Sequence, residues 1–205
     1  MIRVQGFQGS GIRVNRKQTL DTLNPRILGH FFPYSNLGPF TNLVAKRNNI
    51  MANEQKPVRV IPKEKAVFRL DKNGVWHIDD EKFTNQKIIN YFHSLIKKDK
   101  DGYFLEQEHR DFIEKVYFPY EETPLFVFRV IKRDDGLILC LNTGKQIKFD
   151  PEKLILKNND LYIRNDEDLI KFNDNAVLSL ADYIDDVDDR YVINIDGKRH
   201  LIQME

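Results

Sequence analysis

The sequence predicts an α+β fold made of two tandem units, each an antiparallel sheet with one helix. The first observation behind this is a pattern that occurs twice, 86 to 89 residues apart. Asn73-Gly74-Val75-Trp76 opens one copy and Asn159-Asp160-Leu161-Tyr162 the other. An Asp-Glu step follows in each, at Asp80-Glu81 and Asp166-Glu167, and each closes with an aromatic strand start, Tyr103 or Tyr191. Two copies at this spacing indicate a duplicated unit rather than a solenoid, and the small drift is what loop insertions produce. The second observation is the density of tight-turn signals between short apolar runs. The third is a single helical stripe per copy, Ile88, Phe92 and Leu95 against Val177, Ala181 and Ile184. Short strands with tight turns point to antiparallel sheets, not βαβ winding. The expected units are 66–133 and 134–205, with 51–65 as a linker.

Taken in order, Val67 to Leu70 and Val75 to Ile78 flank Asp71-Lys-Asn-Gly74, a hairpin. Thr84 is the expected cap of a helix carrying Ile88, Ile89, Phe92, Leu95 and Ile96 on one face. Lys97 and Lys98 suit the negative end of that helix, and Asp99-Lys-Asp-Gly102 stops it. Strands are expected at Tyr103 to Leu105 and Phe112 to Phe118. Leu125 to Ile131 is apolar on both faces and therefore central in its sheet. Asp134-Asp-Gly136 and Gly144 turn the chain into Leu137 to Leu141 and then Gln146 to Phe149. Leu154 to Leu156 and Leu161 to Ile163 flank Asn158-Asn-Asp160. Asn173 or Asp174 caps a second helix with Val177, Leu180, Ala181 and Ile184 on one face. Tyr191 to Ile195 and His200 to Ile202 form the last hairpin around Asp196-Gly197.

A chain of 205 residues with 41% hydrophobic and 31% charged residues has the composition of a globular protein. Its net charge of +1 is divided: residues 1–50 carry seven Lys or Arg and only Asp21 as an acid. That leaves 25 basic and 30 acidic residues in 51–205. An acidic main body argues against nucleic acid as a partner, since phosphate affinity rests on clustered cations. No run reaches the roughly 20 apolar residues of a membrane span, and no signal-peptide pattern is present, so the expected compartment is the cytoplasm. Residues 1–50 hold five of the ten glycines and show no helical or strand period. Met51 then begins a polar lead into patterned sequence. The expectation is that Met51 is the initiator and 1–50 is translated upstream DNA; the rivals are a basic tail and a targeting peptide, for which Arg and Ser are sparse.

Chemistry-bearing motifs are sparse. Cys140, the only cysteine, lies in an apolar run and reads as a small core residue; disulfides and multi-cysteine metal sites are excluded. Gly6-Phe-Gln-Gly-Ser-Gly11 lacks the strand, helix and Lys-Ser/Thr step of a phosphate loop. Asp182, Asp185, Asp186, Asp188 and Asp189 lack the glycine of a calcium loop and read as a solvated turn. The five histidines have no zinc spacing, and no nucleophile–base arrangement appears. No cofactor is expected. The segment Phe112 to Pro124 interleaves aromatics with Glu114, Lys115, Glu121 and Glu122, as a small-molecule cleft would; a half-buried strand with a polar face is the plain alternative.

In this segment the chain resembles a bacterial family, domain-of-unknown-function family 1285. The resemblance runs from Asp71-Lys-Asn-Gly-Val-Trp76 through Asp101-Gly-Tyr-Phe-Leu105 and Glu114-Lys115. It continues in Tyr120-Glu-Glu-Thr-Pro-Leu125 and Leu141-Asn-Thr-Gly144, covering about 66–205. Gln107-Glu-His-Arg-Asp-Phe and Lys145 depart from the family's pattern. The resemblance implies a duplicated α+β core whose second half looks like a pleckstrin-homology domain, a partly open barrel. It also implies a ligand site between the halves for a nucleotide-like molecule, and a role in signalling. Trp76, Lys115, Tyr117, Tyr120 and Asn142 are the residues expected to approach such a cleft, Lys115 as counter-charge and Tyr117 or Tyr120 as stacking surface. Strand alternation puts Lys115 and Tyr117 on one face. A ligand sensor, an enzyme acting on a nucleotide or phosphorylated metabolite, and a protein-interaction adaptor all remain open, and nothing in the sequence sets the oligomeric state.

Overall fold

The computed structural model describes residues 56–205 apart from Asp189. The chain divides after Ala52, and Asn53–Glu205 forms one unit. The internal-start expectation at Met51 and the Gly6–Gly11 loop lie outside the described residues. Strand β1 (Val58–Ile61) comes first, inside the stretch expected to be a linker. β2 (Phe68–Leu70), β3 (Trp76–Ile78) and β4 (Glu81–Lys82) make an antiparallel meander. Its first turn closes on Gly74 at φ +76, where a Cβ would stand 3.1 Å from the Phe126 ring. Glycine meets both demands, the positive φ and the close approach.

Helix α1 (Gln86–Ser94) is capped by Asn85, whose Oδ1 accepts from the N–H groups of Lys87 (3.0 Å) and Ile88 (3.4 Å). The cap is therefore one residue later than Thr84. The helix also ends earlier than expected. Ile96–Asp99 is strand β5, paired with β6 (Gly102–Glu108) from Ile96 opposite Leu105 to Asp99 opposite Gly102. Lys97 and Lys98 are strand residues, because a helical stripe alone does not say where cross-strand pairing takes the chain over. β7 (Ile113–Tyr117) completes the meander, and β1 adds to it in parallel, giving the order β1-β7-β6-β5.

β8 (Phe126–Arg133), β9 (Gly136–Leu141) and β10 (Gln146–Lys148) follow as antiparallel neighbours; residue 134, expected to open the second unit, is in their first turn. β11 (Leu154–Lys157), β12 (Asp160–Asn165) and β13 (Asp168–Phe172) form the next meander. Helix α2 (Asp174–Leu180) is capped by Asn173, whose Oδ1 accepts from the Ala176 N–H at 2.9 Å. β14 (Ile184–Val187), β15 (Arg190–Ile195) and β16 (Lys198–Leu201) are a third antiparallel set, and β17 (Gln203–Met204) ends the chain. The large sheet runs β10-β9-β8-β13-β12-β11-β17. β8 is interior, as its two-faced apolarity required, and pairs in parallel with β13. The sheets are thus mixed, with three parallel pairings among the described residues. The fold is α+β and dominated by strands.

Phe68, Trp76, Phe92 and Phe118 meet as one aromatic cluster, with centroids 5.0–6.3 Å apart. On α2 the buried residues are Ala176 and Leu180, while Val177 is half-buried and Ala181 exposed. Leu180 is inward as expected, while Ala176 takes the inward place expected of Ala181. The Asp-rich stretch after α2 is strand β14 up to Val187, brought into register by Ile184 opposite Ile193. No helix among the described residues is long and apolar enough to cross a membrane.

Candidate ligand pocket

A pocket of about 210 Å³ opens where β5 and β6 meet the turn after β9 and the β12–β13 turn. Its local construction is legible. Asp99 Oδ1 accepts from the Asp101 N–H at 3.0 Å and Gly102 takes φ +122, so β5 and β6 form a tight hairpin. Lys98 and Tyr103 are then cross-strand partners, with the ammonium 5.4 Å from the Tyr103 ring centre. Both reach Asp168, which opens β13 just beyond Asp166 at φ +53. Lys98 Nζ lies 2.7 Å from Asp168 Oδ1, and the Tyr103 hydroxyl donates to the same oxygen. A carboxylate from the large sheet is thus gripped by two donors of the smaller one. The Asp168 hydrogen bond holds the Lys98 ammonium above the ordinary lysine range. Burial, then Asp168, pushes the Tyr103 phenol well above the ordinary tyrosine value. Lys97 pairs with Glu106.

The opposite wall is the β9–β10 turn. Gly144 sits at φ +83, its N–H donates to Leu141 O at 3.0 Å, and Leu141 N–H donates to Lys145 O at 2.9 Å. Leu141, Thr143 and Lys145 line the pocket. Asn142, between two of them, turns inward instead. Its Oδ1 accepts from the Phe126 N–H at 3.1 Å, and its Nδ2 donates to Pro124 O at 2.9 Å and to His93 Nδ1 at 3.0 Å. That last bond sets the His93 tautomer: the proton is on Nε2, which faces the Gly74 carbonyl without a close hydrogen bond. Burial pushes the His93 imidazole down to about 4.

None of the five residues expected at a cleft lines this pocket. Trp76 has no exposed surface and lies in the aromatic cluster, its Nε1 without a hydrogen-bond partner. It is joined to Asn142 only through His93, whose ring centre is 5.7 Å from the indole. Lys115 and Tyr117 do share a face: Lys115 Nζ is 3.3 Å and Tyr117 Oη 2.8 Å from Asp99 Oδ2. Burial and the Asp99 carboxylate push the Tyr117 phenol up to about 12. Tyr120 comes nearest, packing edge-on against the pocket residue Tyr103 at 5.7 Å. The five split between core, sheet face and pocket border because they sit on separate elements, β3, β7, the loop after it and the turn after β9, which the packing of the sheets sends to different places.

A second polar constellation ties the loop after β7 to the large sheet. Lys171, 4% exposed, puts Nζ 2.7 Å from Asp160 Oδ2 and 2.9 Å from Glu122 Oε2. The Tyr162 hydroxyl donates to the same Glu122 oxygen at 2.7 Å. Burial alone would lower the Lys171 ammonium, but the two carboxylates reverse this and hold it well above the ordinary range. Sequence reasoning missed this group and most of the pocket. The one available signal was a lone charge, Lys171, inside the apolar run Leu169 to Phe172. Lys98 was hidden by its assignment to a helix end.

No family model matches the chain, and no curated protein matches it. Two solved structures do. A DUF1285 family protein from Silicibacter pomeroyi is 13% identical, with a TM-score of 0.49; the match covers 73% of this chain and 84% of that one. A DUF1285 family protein from Shewanella baltica is 17% identical, with a TM-score of 0.43; the match covers 58% of this chain and 94% of that one. These structural neighbours are proteins of the family that the motifs resemble.

Proposed function

We propose that this chain is a small-molecule sensor that binds its ligand in the pocket between the β5–β6 hairpin and the large sheet. The observation that carries the reading is the Asp168 contact. It joins the two walls of the pocket through Lys98 and Tyr103, so a ligand that competes for these donors changes how the walls are held together. Binding rather than turnover suits the groups present. Tyr103 and Lys98 are both held in their protonated forms, as hydrogen-bond donors and not as bases or nucleophiles. The duplication belongs to this proposal as well. The order of three strands, helix, three strands occurs at β2–α1–β7 and again at β11–α2–β16, which supports a pocket formed where two copies of one unit meet.

A thermal-shift screen of nucleotides, carboxylates and phosphorylated metabolites tests this, because a ligand of the native state at 100 times its Kd stabilises by about 2.7 kcal/mol. A hit whose shift grows in Asp168→Ala, where both donors are freed, and falls in Lys98→Met, each variant staying folded, supports the pocket. Hits that are indifferent to Asp168 and Lys98 would place binding elsewhere. Steady consumption of a hit would make the protein an enzyme.

A further inference from the structure

We infer that the pocket takes a small carboxylate with a short apolar body, and not a nucleotide. This deepens the sensor reading and rests on it. Size is the first argument. A volume of about 210 Å³ is below the roughly 300 Å³ at which drug-sized pockets begin. A pocket of that size, open to solvent on one side, encloses a short ligand more fully than a whole nucleotide.

Surface chemistry is the second. Ile96, Leu125, Leu141 and Ile170 supply an aliphatic lining. The pocket's one aromatic ring, Tyr103, already has Lys98 over it and Tyr120 against it edge-on, so a base finds no ready stacking surface. The lining holds no arginine fork and no helix N-terminus, the usual phosphate readers. It does hold three lysines against one carboxylate. Lys97 is engaged by Glu106 and Lys98 by Asp168. Among the described residues no acid lies within ion-pair reach of Lys145, the exposed cation of the β9–β10 turn. Beside it, Thr143 Oγ1 accepts from the Lys145 N–H at 3.4 Å, which leaves its own O–H to donate. An ammonium and a hydroxyl, two residues apart above an aliphatic lining, suit one carboxylate head and a few methylenes.

The test uses amide resonances of the full chain titrated with acetate, butyrate, hexanoate, hexanol and AMP. Butyrate and hexanoate are expected to move the resonances of 141–145 and 165–170. Hexanoate should bind roughly fifteenfold more tightly than butyrate, since each of its two extra methylenes is worth roughly fourfold in affinity when buried. Hexanol, lacking the charge, should bind at least fivefold more weakly than hexanoate. Lys145→Gln should weaken hexanoate about tenfold with the ligand-free melting temperature unchanged, and Thr143→Val should do so to a lesser degree. AMP moving these resonances while hexanoate does not would overturn the inference and leave the sensor reading standing. Failure of every probe and of the wider metabolite screen would overturn both.

Discussion

Replacing Lys171 with Met removes a buried ammonium while roughly preserving side-chain volume, and its cost can be worked from the contacts. Two charge-assisted hydrogen bonds are lost, at 2.7 and 2.9 Å, each worth roughly 1.5–3 kcal/mol when intact. The carboxylates left behind are not sealed: their side chains are 36% and 43% exposed and can turn to water. The loss should therefore fall below the roughly 3–5 kcal/mol of a fully buried broken pair, at about 2–3 kcal/mol. Removing Glu122 or Asp160 instead, as Gln or Asn, leaves one carboxylate on Lys171 and should cost about 1 kcal/mol. Urea unfolding followed by Trp76 fluorescence reads all three variants. The sign with pH is also set. Glu122 is held below its ordinary value; burial opposes this, but Lys171 and Tyr162 outweigh it. Its contribution is thus present above the unfolded carboxylate pKa and lost as pH falls through the folded one. Lys171→Met should flatten that part of the acid limb. A loss under 0.5 kcal/mol, or an unchanged acid limb, would refute the claim that this triplet stabilises the fold.

Gly74→Ala should cost about 2–5 kcal/mol, summing roughly 1–2 for positive φ and roughly 1–3 for the 3.1 Å approach to Phe126; Gly74→Asn in a Phe126→Leu background should recover part of it, and full tolerance of Ala by urea unfolding would contradict the packing. His93 has a folded pKa of about 4 against roughly 6.5 unfolded, so its contribution is complete above pH 6.5 and lost as pH falls toward 4. The loss is on the order of 3 kcal/mol. His93→Gln should remove that slope in a pH series of melting temperatures. Asn85→Ala should cost about 1 kcal/mol by loss of the α1 cap, whereas Thr84→Ala should stay within about 0.5 kcal/mol; chemical unfolding of the pair reads where the helix begins.

Hairpins, the α2 cap and the interior place of β8 could be read from residue order because their causes are local. Asn73-Gly74 needs only its own φ, Asn173 needs only the next turn of backbone, and Leu125 to Ile131 shows apolarity on both faces without reference to any partner. Pairing across the chain had no such local cause. Ile96 to Asp99 continues a helical stripe and becomes a strand because β6 lies alongside it. Val58 to Ile61 is a short β-branched run whose partner the sequence does not name, and it is held by the free edge of β7. The site was decided in the same way. Asn142 and Thr143 are neighbours in one turn, yet one serves the core and the other the pocket, and Lys98 meets Asp168 across 70 positions of sequence. Which side chains converge depends on how separate sheets pack, and that convergence leaves no periodic trace in the chain.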